Sequence, residues 1–269
     1  MNASVDLSLD PSLEPPHISK MGLSHYLRRY QRFVIDPYGE KPITLLEIGI
    51  AEGDSLLYFS DVLPKAKIVG LDVGELPPID RRGGRIAMYQ GAQQDTAFLD
   101  RLAHEQAPSG FDVIIDDGSH VGQFTRIAFW HLFKNHLKPG GLYFIEDWGC
   151  SYWNNYPDGH HYSLPQHDFA LHEKALNAAH ELGKRHDWKL LRRLANGLRW
   201  KLVKRRFPSH NYGMPGVLKE IIDECGVQDI TDARFGKGKP RRSLIEEMTV
   251  SLGLAMIRKR QDDRLSAVH

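Results

Sequence analysis

The chain has 269 residues, enough for one large α/β domain or a domain carrying a sizeable insertion. Its 35 lysines and arginines balance 34 aspartates and glutamates, which excludes a global field steering it toward nucleic acid. Cys150 and Cys225 lack metal-ligand spacing and are too few for a disulfide framework, so a cytoplasmic location is expected, and no apolar run approaches the ~20 residues that span a bilayer.

The first twenty residues lack the basic start and apolar block of a signal peptide and, with three prolines, read as a mobile arm. A short helical pattern follows over about 22–40. "ITLLEIGI" (43–50) is an apolar, β-branched run ending in glycine, which predicts a buried strand. "SLLYFSDVL" predicts a helix, "AKIVGLDV" a second strand ending at Asp72, and "GRIAMYQGAQQD" a third. "TAFLDRLAHEQ" is helical, "FDVIID" is the fourth strand, and Phe124, Ile127, Ala128 and Leu132 recur at helical spacing behind it. "KPGG" predicts a turn and "LYFIEDW" a fifth strand. Strands alternating with helices at this pitch imply right-handed βαβ units and a parallel sheet covered on both faces.

After Trp148 the pattern changes. Residues 149–168 are rich in His, Tyr, Trp, Asn, Pro and Gly and read as a long loop of the kind that serves as a lid or binding segment. A helical region over 169–206 ends in a basic stretch, where ten Lys and Arg accompany a leucine stripe and one acid. That stretch is either a solvated amphipathic helix or a contact for an anionic or lipid-linked substrate. "PGVLKEIIDECG" predicts a sheet-covering helix. "VQDITDARF" and "MTVSLGLAMIRKR" predict two final strands joined as a hairpin around 237–246.

The chemistry concentrates at predicted strand ends. Glu47-x-Gly49-x-x-x-Gly53 follows the first strand, where glycines let the backbone turn tightly and a ligand approach it. Asp72, 25 residues beyond Glu47, ends the next strand, where a carboxylate can accept hydrogen bonds from ribose hydroxyls. A dinucleotide site calls for G-x-G-x-x-G, and an acid at Glu47 would repel a pyrophosphate, which argues against a nicotinamide oxidoreductase. "DDGSH" (116–120) and "IEDW" (145–148) place a second set of acids, with one imidazole, at two further strand ends. Taken as local structure, Asp116, Gly118 and Ser119 build a corner, with Ser119 as a helix N-cap.

Glu47-x-Gly49-x-x-x-Gly53, Asp72, Asp95 and "KPGGLYFIEDW" together resemble class I S-adenosylmethionine-dependent methyltransferases. More narrowly, "MGLSHYLRRYQRF", "GAQQD", "VIIDDGSH" and "LYFIEDW" resemble the macrolide-sugar O-methyltransferases of natural-product biosynthesis. The resemblance covers about residues 20–150 and the terminal hairpin. It implies a doubly wound, mostly parallel, seven-stranded sheet with an antiparallel last strand, Rossmann-like in architecture. The methyltransferase domain would span 21–269, after an arm at 1–20, with a loop and basic helical insertion at about 149–212. In the cofactor site, Glu47, Gly49 and Gly53 would hold the methionine part of S-adenosylmethionine, Asp72 the ribose and Asp95 the adenine end, with Asp116 at the corner of the same cleft. Asp117, Glu146 and Asp147 would bind Mg²⁺, and Asp117 and His120 would be catalytic, with His120 as the base.

The expected activity is therefore Mg²⁺-assisted methylation of a hydroxyl on a sugar or glycosylated metabolite. The partners expected are a small-molecule or glycoside acceptor and further copies of the chain in a homo-oligomer. The absence of an aromatic-basic motif argues against nucleic acid. Two alternatives remain open on these residues. One is a metal-dependent O-methyltransferase for a catechol or other non-sugar hydroxyl, and the other is a non-catalytic cofactor-binding protein.

Overall fold

Buried apolar runs dictate the architecture, because a strand covered on both faces has no polar side to show. The computed structural model describes residues 24–161, isolated positions between 178 and 198, 211–234 and 236–261. The segment expected as an arm and most of the basic stretch lie outside the described residues.

Seven strands form one sheet in the order β3-β2-β1-β4-β5-β7-β6. They are β1 (Thr44–Ile48), β2 (Lys67–Asp72), β3 (Ile86–Gln90), β4 (Phe111–Asp116), β5 (Leu137–Glu146), β6 (Ile245–Val250) and β7 (Leu254–Lys259). β1 pairs in parallel with β2 and β4, β2 with β3, and β4 with β5. β7 is antiparallel to both β5 and β6, as the resemblance implies for the last strand. The strand order reverses between β1 and β4. In sheets of this kind, ligands bind beyond the carboxyl ends of the strands at that reversal.

Side chains alternate across the sheet and feed two apolar layers. On one side, Leu46, Ile114, Tyr143 and Ile257 pack with α3 (Thr96–Gln106), α4 (Gly122–Asn135) and α5 (Gly213–Cys225). On the other, Leu45, Val113, Phe144 and Met256 pack with α1 (Ser24–Tyr30) and α2 (Asp54–Val62). α1 continues through a π-helical turn (Gln31–Ile35) into Asp36–Tyr38, and its stripe Tyr26, Tyr30, Phe33 and Val34 is buried. No helix among the described residues is long and apolar enough to cross a membrane.

Three local expectations are corrected. "KPGG" lies within β5, where Gly140 at φ +76° absorbs the irregularity and the β4–β5 register shifts between Phe111 and Val113. "VQDI" is a helical turn (Val227–Ile230), not a strand; it continues from α5 through Gly226, and so short an apolar run has no period to separate the two. The final hairpin turns at Ser251–Gly253 rather than around 237–246, so "MTVSLGLAMIRKR" supplies most of both strands. Gly253 takes φ +69° there, the left-handed conformation that a tight turn needs.

Candidate active site

β1 ends between β2 and β4, and its end is bonded to both. Gly49 N–H donates to the Leu71 carbonyl at 2.7 Å, and Asp117 N–H donates to the Ile48 carbonyl at 2.8 Å. Gly49 adopts φ +83°, and a Cβ added to it would collide with the Asp117 backbone. Only glycine lets the β1 loop lie against the β4 loop so closely. Gly53 at φ +82° then starts α2, where a Cβ would press on the Ile79 side chain. Asp72 organises this loop: Oδ2 accepts from Ile50 N–H (2.8 Å) and Ala51 N–H (3.2 Å), and Oδ1 accepts from Gly74 N–H (2.8 Å). Glu47 is fully buried one turn of pleat earlier and accepts from Ser55 Oγ at 2.7 Å.

These loops enclose a cavity of about 340 Å³ whose walls include Gly49, Asp72, Gln93, Asp117 and Phe124. Asp95 sits beside it as the N-cap of α3, where its Oδ1 accepts from Phe98 N–H at 3.0 Å. Gln93 is the residue that sequence reasoning missed here. It is buried, its Oε1 accepts from Ser119 N–H (2.8 Å), and its Nε2 donates to Asp116 Oδ1 (3.2 Å), tying the β3 loop to the β4 loop. Its signal is a polar side chain in "GAQQD" just beyond a strand, which alone does not reveal its partners.

Asp116 and Asp117 have different surroundings because neighbours on a strand point to opposite faces. Asp116 is buried, and burial pushes its carboxyl up to about 7, opposed by hydrogen bonds from Tyr143, Gly118 N–H and Gln93. Asp117 faces outward to the cavity. Its Oδ1 lies 3.8 Å from His120 Nε2, and Asp147 completes a cluster whose three ligand atoms lie within 4.8 Å of one another. His120 (φ +52°) and Asp147 (φ +48°) both hold left-handed backbone conformations that cost such residues about 1–3 kcal/mol each. His120 Nδ1 is buried without a hydrogen-bond partner among the described residues, a further expense of about 1–3 kcal/mol. Strain and an unsatisfied polar atom together mark a place held for something other than stability. Ser119 is not the N-cap of α4. Its Oγ accepts from Val121 N–H (3.2 Å), while Asp158 Oδ2 takes the Gly122 N–H (2.7 Å).

Glu146 lies on the inner side of the same strand end, buried and hydrogen-bonded to the Tyr30 hydroxyl. Asp147 accepts from the Tyr26 hydroxyl at Oδ1 (2.6 Å), and that hydroxyl also donates to the Gly253 carbonyl (3.1 Å). Burial, then the charges of these acids, raises both tyrosine pKa values, so the phenols remain donors. The sequence expects a helix at these two positions but cannot show partners more than a hundred residues away.

The segment after β5 folds over the cluster as two short 3₁₀ turns, Trp148–Tyr152 and Pro157–His161. Ser151 Oγ accepts from Met214 N–H (2.9 Å), so the segment is fixed to α5 as well as to α4. It brings the Tyr156 ring within 6.1 Å of His120, tilted by 53°. Burial and the nearby Cys150, Asp147 and Asp117 push the Tyr156 hydroxyl up to about 12, and burial with Asp147 pushes the Cys150 thiol up to about 11. Trp153 is exposed and Tyr152 marginally so.

No protein-family model matches the chain. It is 39% identical over 142 residues to mycinamicin VI 2''-O-methyltransferase of Micromonospora griseorubida, covering 50% of this chain and 34% of that protein. It is 35% identical over 136 residues to demethylmacrocin O-methyltransferase of Streptomyces fradiae, covering 48% and 32%. The MycE methyltransferase of the mycinamycin pathway, solved with Mg and SAH, superposes with a TM-score of 0.61 at 27% identity, over 88% of this chain and 50% of that one. The same enzyme solved with mycinamycin VI as well gives 0.59. The chain thus spans about a third of the length of these curated relatives and about half that of the solved structures.

Proposed function

We propose that the chain is an S-adenosylmethionine-dependent, Mg²⁺-assisted O-methyltransferase acting on a hydroxyl of a sugar or glycosylated metabolite. The observation that carries this is the Asp117–His120–Asp147 cluster, in which His120 and Asp147 are left-handed and His120 Nδ1 has no partner among the described residues, on the rim of the cavity built from Gly49, Asp72 and Gln93. The similarity to sugar O-methyltransferases over half the chain supports the same reading.

The residues suit both groups. The Gly49 cradle, where no Cβ fits, lets a ligand approach the backbone, and the buried Glu47 carboxylate favours a cationic sulfonium nearby over a phosphate. Glu47, Gly49 and Gly53 would hold the methionine part, Asp72 the ribose and Asp95 the adenine end, with Asp116 closing the corner. Asp117 and Asp147 offer carboxylate oxygens that suit a hard divalent ion, the Tyr26 hydroxyl orients Asp147, and Glu146, turned inward onto Tyr30, would back this pair as the third acid. When bound, S-adenosylmethionine supplies an electrophilic methyl group, and Mg²⁺ supplies a charge that lowers the pKa of an acceptor hydroxyl.

The protein's own part is then positional. Asp117 and Asp147 fix where the acceptor oxygen lies, and His120 Nε2, beside Asp117, takes its proton. The segment over residues 148–161, fastened to α4 and α5, limits water at that point. The catalytic unit proposed is 21–269, with the insertion at 149–212, acting in the cytoplasm as a homo-oligomer. The basic stretch 184–206, mostly outside the described residues, is proposed as a contact for an anionic or lipid-linked acceptor.

Transfer of labelled methyl from S-adenosylmethionine into glycoside pools tests this reading. Mg²⁺-dependent labelling of a glycoside is expected. Labelling of simple catechols alone would move the substrate class, and labelling of no acceptor would leave a cofactor-binding protein.

A further inference from the structure

A cleft of about 580 Å³ lies between the outer face of α1 and the β6–β7 turn, lined by His25, Arg28, Arg29, Arg32, Ser251 and Leu252. Its composition follows from helical spacing. Tyr26, Tyr30, Phe33 and Val34 take the buried stripe of the helix, which leaves the residues between them to face the cleft. Arg28 and Arg32 are exposed and stand one helical turn apart. None of the three guanidinium groups forms an ion pair with another described residue, and Arg32 lies 5.1 Å over the Phe33 ring. The one acid among the described residues that line the cleft, Asp36, accepts a hydrogen bond from Gln31 Nε2 at 2.5 Å. Three cations against one carboxylate leave an excess of two positive charges.

This cleft adjoins the candidate active site. Tyr26, the neighbour of His25, donates to Asp147 and to the carbonyl of Gly253, the neighbour of Leu252. Trp148 Nε1 donates to the Ser251 carbonyl at 3.1 Å, so the turn that walls the cleft is fastened on both sides of Asp147. Leu252 extends its side chain into solvent at 79% exposure, an apolar surface beside the arginines.

We infer that the cleft binds a phosphoryl group carried by the acceptor sugar. Guanidinium forks match the geometry of phosphate oxygens, and a phosphate monoester brings roughly two negative charges at neutral pH, equal to the local excess. A carboxylate brings half that charge. The inference deepens the sugar-methylation reading and rests on it for the nature of the acceptor.

The test is direct binding of α-D-glucose 1-phosphate, D-glucuronate and D-glucose to the full chain, with S-adenosylhomocysteine stabilisation measured in parallel. Glucose 1-phosphate should bind at least tenfold more tightly than the other two, and more weakly as ionic strength rises. The Arg28→Gln/Arg32→Gln variant should lose at least tenfold of that binding while keeping its response to S-adenosylhomocysteine. Equal binding of the three sugars, or unchanged binding in the variant, would overturn the proposal. So would binding to anionic phospholipid vesicles without binding to glucose 1-phosphate. Glucose 1-phosphate bound only after Asp6→Asn/Asp10→Asn/Glu14→Gln substitution would assign the cleft to the acidic stretch of residues 1–23 instead, and overturn it too. Phosphate binding in a protein that ignores S-adenosylhomocysteine would strike the methyltransferase reading while supporting the anion site.

Discussion

Two clusters of aspartate and histidine in this molecule have similar composition and opposite character. In one, Asp100 Oδ1 is shared by His131 Nε2 at 2.8 Å and His136 Nε2 at 2.6 Å, between α3 and α4. None of its residues holds a left-handed backbone conformation. In the other, Asp117 and His120 stand 3.8 Å apart, too far for a hydrogen bond, and His120 and Asp147 are both strained. The His120 Nδ1 atom is buried without a partner among the described residues. Residue types that can ligate a metal are therefore not enough to identify a site. The first cluster satisfies its own polar groups and serves helix packing, whereas the second leaves polar capacity open at the edge of a cavity.

The comparison breaks or sharpens under four changes. His120→Ala should lower methyl transfer by roughly 10²–10⁴-fold, with S-adenosylhomocysteine binding retained. Wild-type turnover in steady-state assays would remove His120 from the chemistry. Tyr26→Phe deletes the hydrogen bond that orients Asp147, and should weaken Mg²⁺ activation by roughly 10–100-fold without changing the fold, read from the Mg²⁺ dependence of the rate. His131→Asn should leave turnover unchanged and reduce stability by about 1 kcal/mol or less, measured by denaturant unfolding, because its partner Asp100 is partly exposed. The smallest effect concerns acid. Hydrogen bonds from His136, then His131, hold the Asp100 carboxyl below its usual value. A lowered folded-state pKa means that this stabilisation is present above the unfolded value and lost as pH falls through the folded one. Asp100→Asn should therefore flatten the acid limb of the stability curve slightly, and leave stability near neutral pH almost as far reduced as in His131→Asn.

β1, β2, β4 and the second half of β5 were legible because burial on both faces writes them as apolar runs, whereas the edge strand β3 is mostly half-buried and the start of β5 reads as a turn. β6 and β7 were not separable in the same way: their turn, Ser251–Leu252–Gly253, sits inside an apolar run with one glycine as its signal. Asp117 and Asp147 could be read from the sequence as acids closing adjacent strands. What strand alternation adds is that Glu146 turns inward to Tyr30 while Asp147, past the end of the strand and left-handed, faces the cluster. Tyr26, Gln93 and Tyr156 were invisible as site residues, because each owes its place to contacts between segments far apart in the chain. The strain at His120 was equally hidden, since only the backbone reveals it.

The central claim is that the cavity between the β1 and β4 loops receives S-adenosylmethionine. Thermal unfolding with increasing S-adenosylhomocysteine measures this most directly. At 100 times its Kd the ligand should raise the unfolding midpoint by about 5–10 °C, and Asp72→Asn should weaken the response. A midpoint that does not move at any concentration of S-adenosylhomocysteine, with or without Mg²⁺, would contradict the account.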